Sequence, residues 1–465
     1  MRDGSGSVWP AVLERFERRA PAGVMARAAL EHAFPAGWVD EVFEAHRRRQ
    51  YARELLFCTV VELMTLVCLG LRPSLHAAAR QMAELPVSLA SLYDKVNHTE
   101  PAILRALVRG SAGRLMPVVA AVGHGAGSRP ASRPGWRVRV LDGNHLAASE
   151  KRLLPLRGFR GAALPGQSLV VYDPDAGLVT DMAAREDAHE SERAGAMSLL
   201  DGAGPGQVWI ADRHFCTGAV LQGWQEAGAG FIVREHGRHP RLAGQGEWQG
   251  RGRTGTGQVR EQAIEAKDQP ASWRRTKLVL DAPTVAGETT IRLWSNLPEE
   301  VGAERIAELY RTRWTIEGMF GRLESVLNSE MAGLGHPRAA LLGFTVAVLA
   351  YNVLALLQRC VEQAHQRQRE PPPEVSTYHL ALQIKGSYEG MLIAVPPECW
   401  PPWHAADPSR LAERLLSLAR HVDPRQVATS KRSPKLATSK GYVDGKTARA
   451  HVATVRILAQ ARTRP

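Results

Sequence analysis

Residues 136–142 read WRVRVLD, and the fold follows from them. Trp136, Val138 and Val140 alternate with Arg137 and Arg139, the two-residue period of a half-buried β-strand, before Leu141 and Asp142. A carboxylate at the end of an apolar strand cannot belong to the core. The pattern recurs downstream, where Val208-Trp209-Ile210-Ala211 runs into Asp212. Between the two, Ser168–Tyr172 and Leu178–Met182 flank the turn signal Asp173-Pro174-Asp175-Ala176-Gly177 and predict a hairpin. A helix is expected over Glu190–Leu200, a second after Asp212, and a strand over Gly230–Val233. Hairpin strands followed by strand–helix–strand alternation imply α/β architecture: a mixed sheet with helices packed on it.

On the N-terminal side of this core, residues 11 to about 118 show helical periodicity. Ser74–Ala83, a turn at Glu84–Val87 and a piece capped by Ser88 could form a helix-turn-helix, although most such pairs are plain core hairpins. Thr99 and Pro101 open a further helix. The Gly, Ser and Pro-rich stretch Ala121–Gly135 marks a boundary. On the C-terminal side, Arg234–Lys277 holds ten Lys or Arg against five Asp or Glu, with many glycines. Strand-like runs return at Lys277–Asp281 and Thr289–Trp294, so this segment is expected to be a β-rich insertion. One long amphipathic helix is predicted from Ala303 to about Asn328. Ala339–Leu357 follows, nineteen residues without a charge. That reaches membrane-spanning length, but Tyr351 and Asn352 interrupt it and no other segment is comparable, which favours a buried core helix. Gln366–Glu374 is a second linker. The expected organisation is a helical N-terminal domain at 1–130, an α/β domain at 131–235 and 286–365 split by the insertion at 236–285, and a C-terminal region at 366–465.

The 465 residues carry a formal charge of +12, and a basic excess of that size suits a polyanionic partner, nucleic acid first. The excess is local. The tail from Arg425 to Pro465 holds +9 and the insertion +5, which leaves −2 for the rest. Five widely spaced cysteines without a CxxC pair speak against a disulfide framework or zinc site and fit a reducing cytosol. No secretory signal is read at the N-terminus, and no membrane partner is expected. Two motifs are decoys. Gly250-x-Gly252-x-x-Gly255 neither follows a strand nor opens a helix, and Gly441–Thr447 is one residue short of a phosphate-binding loop. His236 and His239 lack partners at metal-ligand spacing.

Asp142, Asp212 and Glu317 remain, the last within Tyr310-Arg-Thr-Arg313-Trp314-Thr-Ile-Glu317. Carboxylates from two strand ends and a facing helix can converge on hard divalent cations, which prefer oxygen ligands. Two such ions clamp the attacking and leaving oxygens of a phosphodiester. Any one of these acids alone is more often a cap or turn residue; the ordered set carries the argument.

In LDGNHL around Asp142, WIADRHF around Asp212 and LWSNLPEEVGAERIAELYRTRWTIEGMFGRLES around Glu317, the sequence resembles the DDE transposases of bacterial cut-and-paste insertion sequences. The subgroup it resembles carries a Tyr-x2-Arg-x3-Glu-x6-Lys signature. Tyr310, Arg313 and Glu317 fit that spacing, but the signature Lys falls on Glu324, where a carboxylate would repel DNA. The resemblance implies a ribonuclease H-like catalytic fold at 131–235 and 286–365 interrupted by the β insertion, a DNA-binding role for the helical domain at 1–130, and Asp142, Asp212 and Glu317 as catalytic and metal-binding residues. It also implies two Mg²⁺ ions, with Mn²⁺ as a substitute, and a homodimer acting on double-stranded DNA: transposon terminal inverted repeats and target. Steps of three, four and seven place positions 310, 313, 317 and 324 on one helical face, so Tyr310 and Arg313 are expected to hold phosphate beside Glu317. Arg322 is a nearby cation about 160° around the helix from Glu324 and not a clean substitute. In the tail, Lys431, Arg432, Lys435 and Lys440 are further DNA-binding candidates. Trp248, Trp273 and Trp294 are candidates to receive a flipped base, while Trp314 and Phe320 are expected to serve ordinary helix packing. The implied location is the bacterial cytoplasm, at the nucleoid. Two alternatives remain open: a non-catalytic DNA-binding descendant of a transposase, and a metal-dependent nuclease without strand transfer.

Overall fold

The computed structural model describes residues 9–51, 54–82, 85–123, 135–146, 164–238, 240–267, 272–284, 287–331, 333–366 and 374–429. Seven helices open the chain: α1 (Trp9–Arg19), α2 (Pro21–Ala33), α3 (Ala36–His46), α4 (Phe57–Cys68), α5 (Leu75–Gln81), α6 (Leu89–His98) and α7 (Pro101–Val122). The short pair α5 and α6 starts where expected, because the hydroxyls of Ser74 and Ser88 cap them by accepting from Ala77 and Ser91 backbone N–H groups.

The sheet region contains β1 (Arg137–His145), β2 (Gln167–Asp173), β3 (Leu178–Arg185), α8 (Glu192–Met197), β4 (Gln207–Ala211), α9 (Gly218–Glu226) and β5 (Gly230–Arg234). It continues through β6 (Leu242–Gln245), β7 (Gln249–Thr254), β8 (Gly257–Ala266), β9 (Ser272–Leu280) and β10 (Thr290–Ser295). The ten strands form a single sheet in the order β3-β2-β1-β4-β5-β10-β9-β8-β6, with β7 also on β8. β1, β4 and β5 are parallel neighbours and the other pairings are antiparallel. The strands expected to form an insertion therefore extend the central sheet, because β10 pairs β5 on one side and β9 on the other.

Helices α10 (Ala303–Arg311), α11 (Trp314–Val326), α12 (Pro337–His365), α13 (Thr377–Ala394) and α14 (Pro408–Ala419) complete the described fold. The apolar segment lies in α12, whose most apolar window is 89% buried by the protein itself. One large core unites α12, the N-terminal helices and one face of the sheet; α8 and α9 cover the other face over a second core. The two polar residues that interrupt α12 have partners. The Asn352 amide accepts from the Val179 N–H and donates to the Val179 carbonyl, both at 2.8 Å, tying α12 to β3. Tyr351 Oη accepts from Arg322 at 3.0 Å. Buried polar groups are tolerated when satisfied in this way.

The long helix expected over 303–328 is instead two. Between α10 and α11, the N–H groups of Thr312, Arg313, Thr315 and Ile316 each bond the carbonyl three residues back. The Thr312 and Thr315 hydroxyls also donate to carbonyls three residues back, at 2.7 and 2.6 Å. Hydroxyls that compete for backbone carbonyls favour such a tightened turn over a continuous α ladder.

Candidate active site

The parallel ladder between β1 and β4 pairs Arg137–Leu141 with Gln207–Ala211. Asp142 and Asp212 are the next residues on the two strands, so they stand side by side where the parallel pairing stops, on strands about 4.8 Å apart. Asp142 is not the last residue of its strand, because β1 continues to His145 against β2. It closes the ladder with β4. Asp212 leaves β4 and immediately precedes a single helical turn at Arg213–Phe215, its carboxylate not spent on capping that turn, and Arg193 of α8 steadies the turn by donating to the His214 carbonyl at 2.9 Å.

The tightened turn before α11 delivers the third acid. Arg313 sits at the break and its guanidinium reaches both ways: Nη1 donates to Asp142 Oδ2 at 3.0 Å and Nη2 to Glu317 Oε1 at 2.9 Å. Its side chain is 11% exposed, against 22% for Asp142 and 44% for Glu317. Arg313 Nε is buried and unpartnered, so the fork is not saturated. Burial pushes the Asp142 carboxyl up to about 6; Arg313 and the Gly143 N–H oppose that shift, while nearby Asp212 and Glu192 add to it. Tyr310 is buried against Arg313 and Arg234, and burial raises its hydroxyl well above the ordinary tyrosine value.

All the donors are carboxylate oxygens, and one belongs to an acid destabilised by burial beside other acids, chemistry that fits a hard divalent cation. Asp142 and Asp212 would hold it, with Glu317 on the helix side. Among the described residues no three acids, histidines or cysteines converge on one point as they stand. Arg313 fills the space between Asp142 and Glu317.

Two residues here were not anticipated from sequence. Glu192, at the start of α8, packs over Gly143 so closely that a Cβ there would collide with its carboxylate, and its charge acts on Asp142. Its distance in sequence from all three acids gives no signal; only the β3–α8 connection brings it close. Trp314, expected to pack, is 63% exposed, with the Arg313 guanidinium 5.1 Å from its ring centre. Phe320 does pack against the core.

The remaining candidates stand apart from these acids. Arg322 bonds Tyr351 and lies 5.5 Å over its ring, on the core side of α11. Glu324 is exposed. Trp273 and Trp294 are fully buried, their ring centres 6.0 Å apart, and Trp273 donates to Gln225 at 2.6 Å. Taking up a base at either would require opening that core. Trp248 is half-buried beneath Arg275 and Lys277. Lys431, Arg432, Lys435, Lys440 and His239 lie outside the described residues.

No curated protein matches this chain. Among solved structures, a piggyBac transposase synaptic complex with hairpin DNA, determined by cryo-EM, is similar at a TM-score of 0.37 and 10% identity, over 78% of this chain and 80% of that one. The family model described as the transposase DDE domain matches residues 140–353. From β1 into α12, an interval that holds Asp142, Asp212 and Glu317, this chain is similar to a transposase DDE domain.

Proposed function

We propose that this protein is a DNA transposase that cleaves transposon ends and joins them to target DNA by metal-dependent phosphodiester chemistry. The observation that carries the proposal is the placement of Asp142 and Asp212 at the same step of adjacent parallel strands, with Glu317 linked to Asp142 through Arg313, inside the segment similar to a transposase DDE domain. Two Mg²⁺ ions, or Mn²⁺ in their place, would supply Lewis acidity to the attacking and leaving oxygens of the in-line displacement. Asp142 and Asp212 would hold them from the sheet and Glu317 from α11.

Arg313 has a double part in this scheme. Without DNA it neutralises Asp142 and Glu317; with DNA its planar fork suits a phosphate at the cleaved end. Tyr310 buttresses it from the buried side. Trp314 presents an open ring one turn before Glu317, where an unstacked base could lie. Paired ends require two copies of the chain, so a homodimer on DNA is part of the proposal.

Substituting Asp142→Asn is expected to abolish end cleavage while leaving end binding intact, with DNA taken from the sequence that flanks the coding region. Full cleavage by that variant would overturn the proposal. Joined products on the same gels separate strand transfer from plain nuclease action.

A further inference from the structure

The cross-strand register sets three cations side by side on the sheet extension. Arg260 of β8 is directly opposite Lys277 of β9, and Lys277 is directly opposite Arg292 of β10. Directly paired residues point to the same side of a sheet, so the three form a row across adjacent strands, about 10 Å from end to end. The row lies on the side away from α10, whose core with the extension is built from Val259 and Leu278, residues of opposite parity. Arg260 and Arg292 are exposed and Lys277 is half-buried.

Like charges directly opposite one another destabilise a sheet, whereas a cross-strand acid would relieve them. Here the relief is missing. Among the described residues Arg260, Lys277 and Arg292 make no ion pair, whereas Arg274 and Arg275 of β9 and Arg251 and Arg253 of neighbouring β7 all do. The next position along the row is Glu235, whose N–H bonds the Arg292 carbonyl, but its carboxylate is committed to Arg275. Lys277 also stands over the half-buried Trp248. The register thus leaves three positive charges without an internal partner, a few residues from the loop where Glu288 pairs with Arg213, the neighbour of Asp212.

We infer that the Arg260–Lys277–Arg292 row is a docking surface for the phosphate backbone of duplex DNA, a choice of polyanion that rests on the proposed function. It lies on the sheet face opposite α10 and shares no residue with the acid cluster. It grips DNA without reading sequence, because all three groups are cations on a flat strand surface that meets charge rather than base edges.

The test is a salt titration of duplex binding by the full chain, without divalent metal so that cleavage is not engaged. In the Arg260→Gln, Lys277→Gln, Arg292→Gln triple variant, the slope of log K against log salt should become shallower by about 2.7, or about 0.9 per lost phosphate contact. Single Arg260→Gln and Arg292→Gln variants should each lose about 0.9, and Arg260→Lys should keep it. Because the row is self-repelling, the triple variant should melt at the same temperature or higher. An unchanged slope in the triple variant overturns the inference, and so does a weakened affinity accompanied by a lowered melting temperature, which would make the row structural. Cleavage by the same preparations in Mg²⁺ reports on the proposed function separately: a wild-type protein that binds with the steep slope but never cuts would sink that function and leave the docking surface standing.

Discussion

The two halves of the single sheet differ in what covers them. β2 is buried at every position, and β4 at all but its first residue, because helices lie on both faces of that half. β8 alternates over much of its length, with Val259 inward and Arg260 outward, because only α10 backs that end. The proposed roles divide along the same line. In the covered half, an internal cation, Arg313, bridges Asp142 at the end of the parallel ladder to Glu317 of α11. In the half-open extension, Arg260, Lys277 and Arg292 stand in a row that no acid pairs with among the described residues. Each region lacks the charge that its proposed partner brings: metal for the acids, phosphate for the cations.

Removing an acid from the covered half should produce the largest effect. Glu317→Gln is expected to lower end cleavage by about a thousandfold or more, measured by single-turnover gels, because the lost ligand acts in the transition state. Retention of more than a tenth of the rate would break the contrast by showing that α11 is not needed. Next comes the anchor of the covered half to α12. Asn352→Ala leaves both backbone groups of Val179 without their amide partner, and urea denaturation should show a loss of about 2–4 kcal/mol. Similar stability in the variant would mean that α12 is held by apolar packing alone.

A third prediction concerns pH. The folded-state value of Asp142, about 6, lies above the ordinary aspartate value of 3.8 that applies in the unfolded chain, so the folded protein binds the extra proton between these limits. Stability of the metal-free protein should therefore fall as pH rises from about 4 to about 6 and be level above, as far as this group is concerned. Asp142→Asn should remove that loss and stabilise the metal-free protein at pH 7 by about 1–3 kcal/mol, with little gain at pH 4. Destabilisation at pH 7 would show that the Arg313 bridge outweighs burial. The smallest effect belongs to the surface of α11. Glu324→Lys should strengthen duplex binding and steepen its salt slope by about 1, without moving the melting temperature. No change would place position 324 outside the DNA footprint.

Much of this arrangement is legible in the sequence. WRVRVLD, the Asp173–Gly177 turn and VWIAD mark strands, hairpin and acids because an alternating or short apolar run broken by a turn signal or a carboxylate is a local pattern, although β1 and β4 are buried on both faces, Arg139 included. The Ser74 and Ser88 caps mark helix starts by the same local logic. Register is not local. Nothing near residue 260 announces that it will face 277 and then 292, and nothing near 192 announces Asp142. The break at Thr312 depends on hydroxyls bonding carbonyls inside what reads as one amphipathic run. Trp314 has the look of a packing residue because helix periodicity assigns it a face, and the break changes which face that is. The tryptophans of the extension show the converse: Trp273 and Trp294 lie toward the covered end of their strands and are core, while Trp248, in the loop between β6 and β7, remains half-open.

The most direct test of the central claim is Mn²⁺ binding by calorimetry, with the protein bound to uncleaved end DNA. The account predicts two ions per protomer in the wild type and loss of at least one in both Asp142→Asn and Asp212→Asn, with DNA binding preserved. Equal Mn²⁺ stoichiometry and affinity in the wild type and both variants would contradict it.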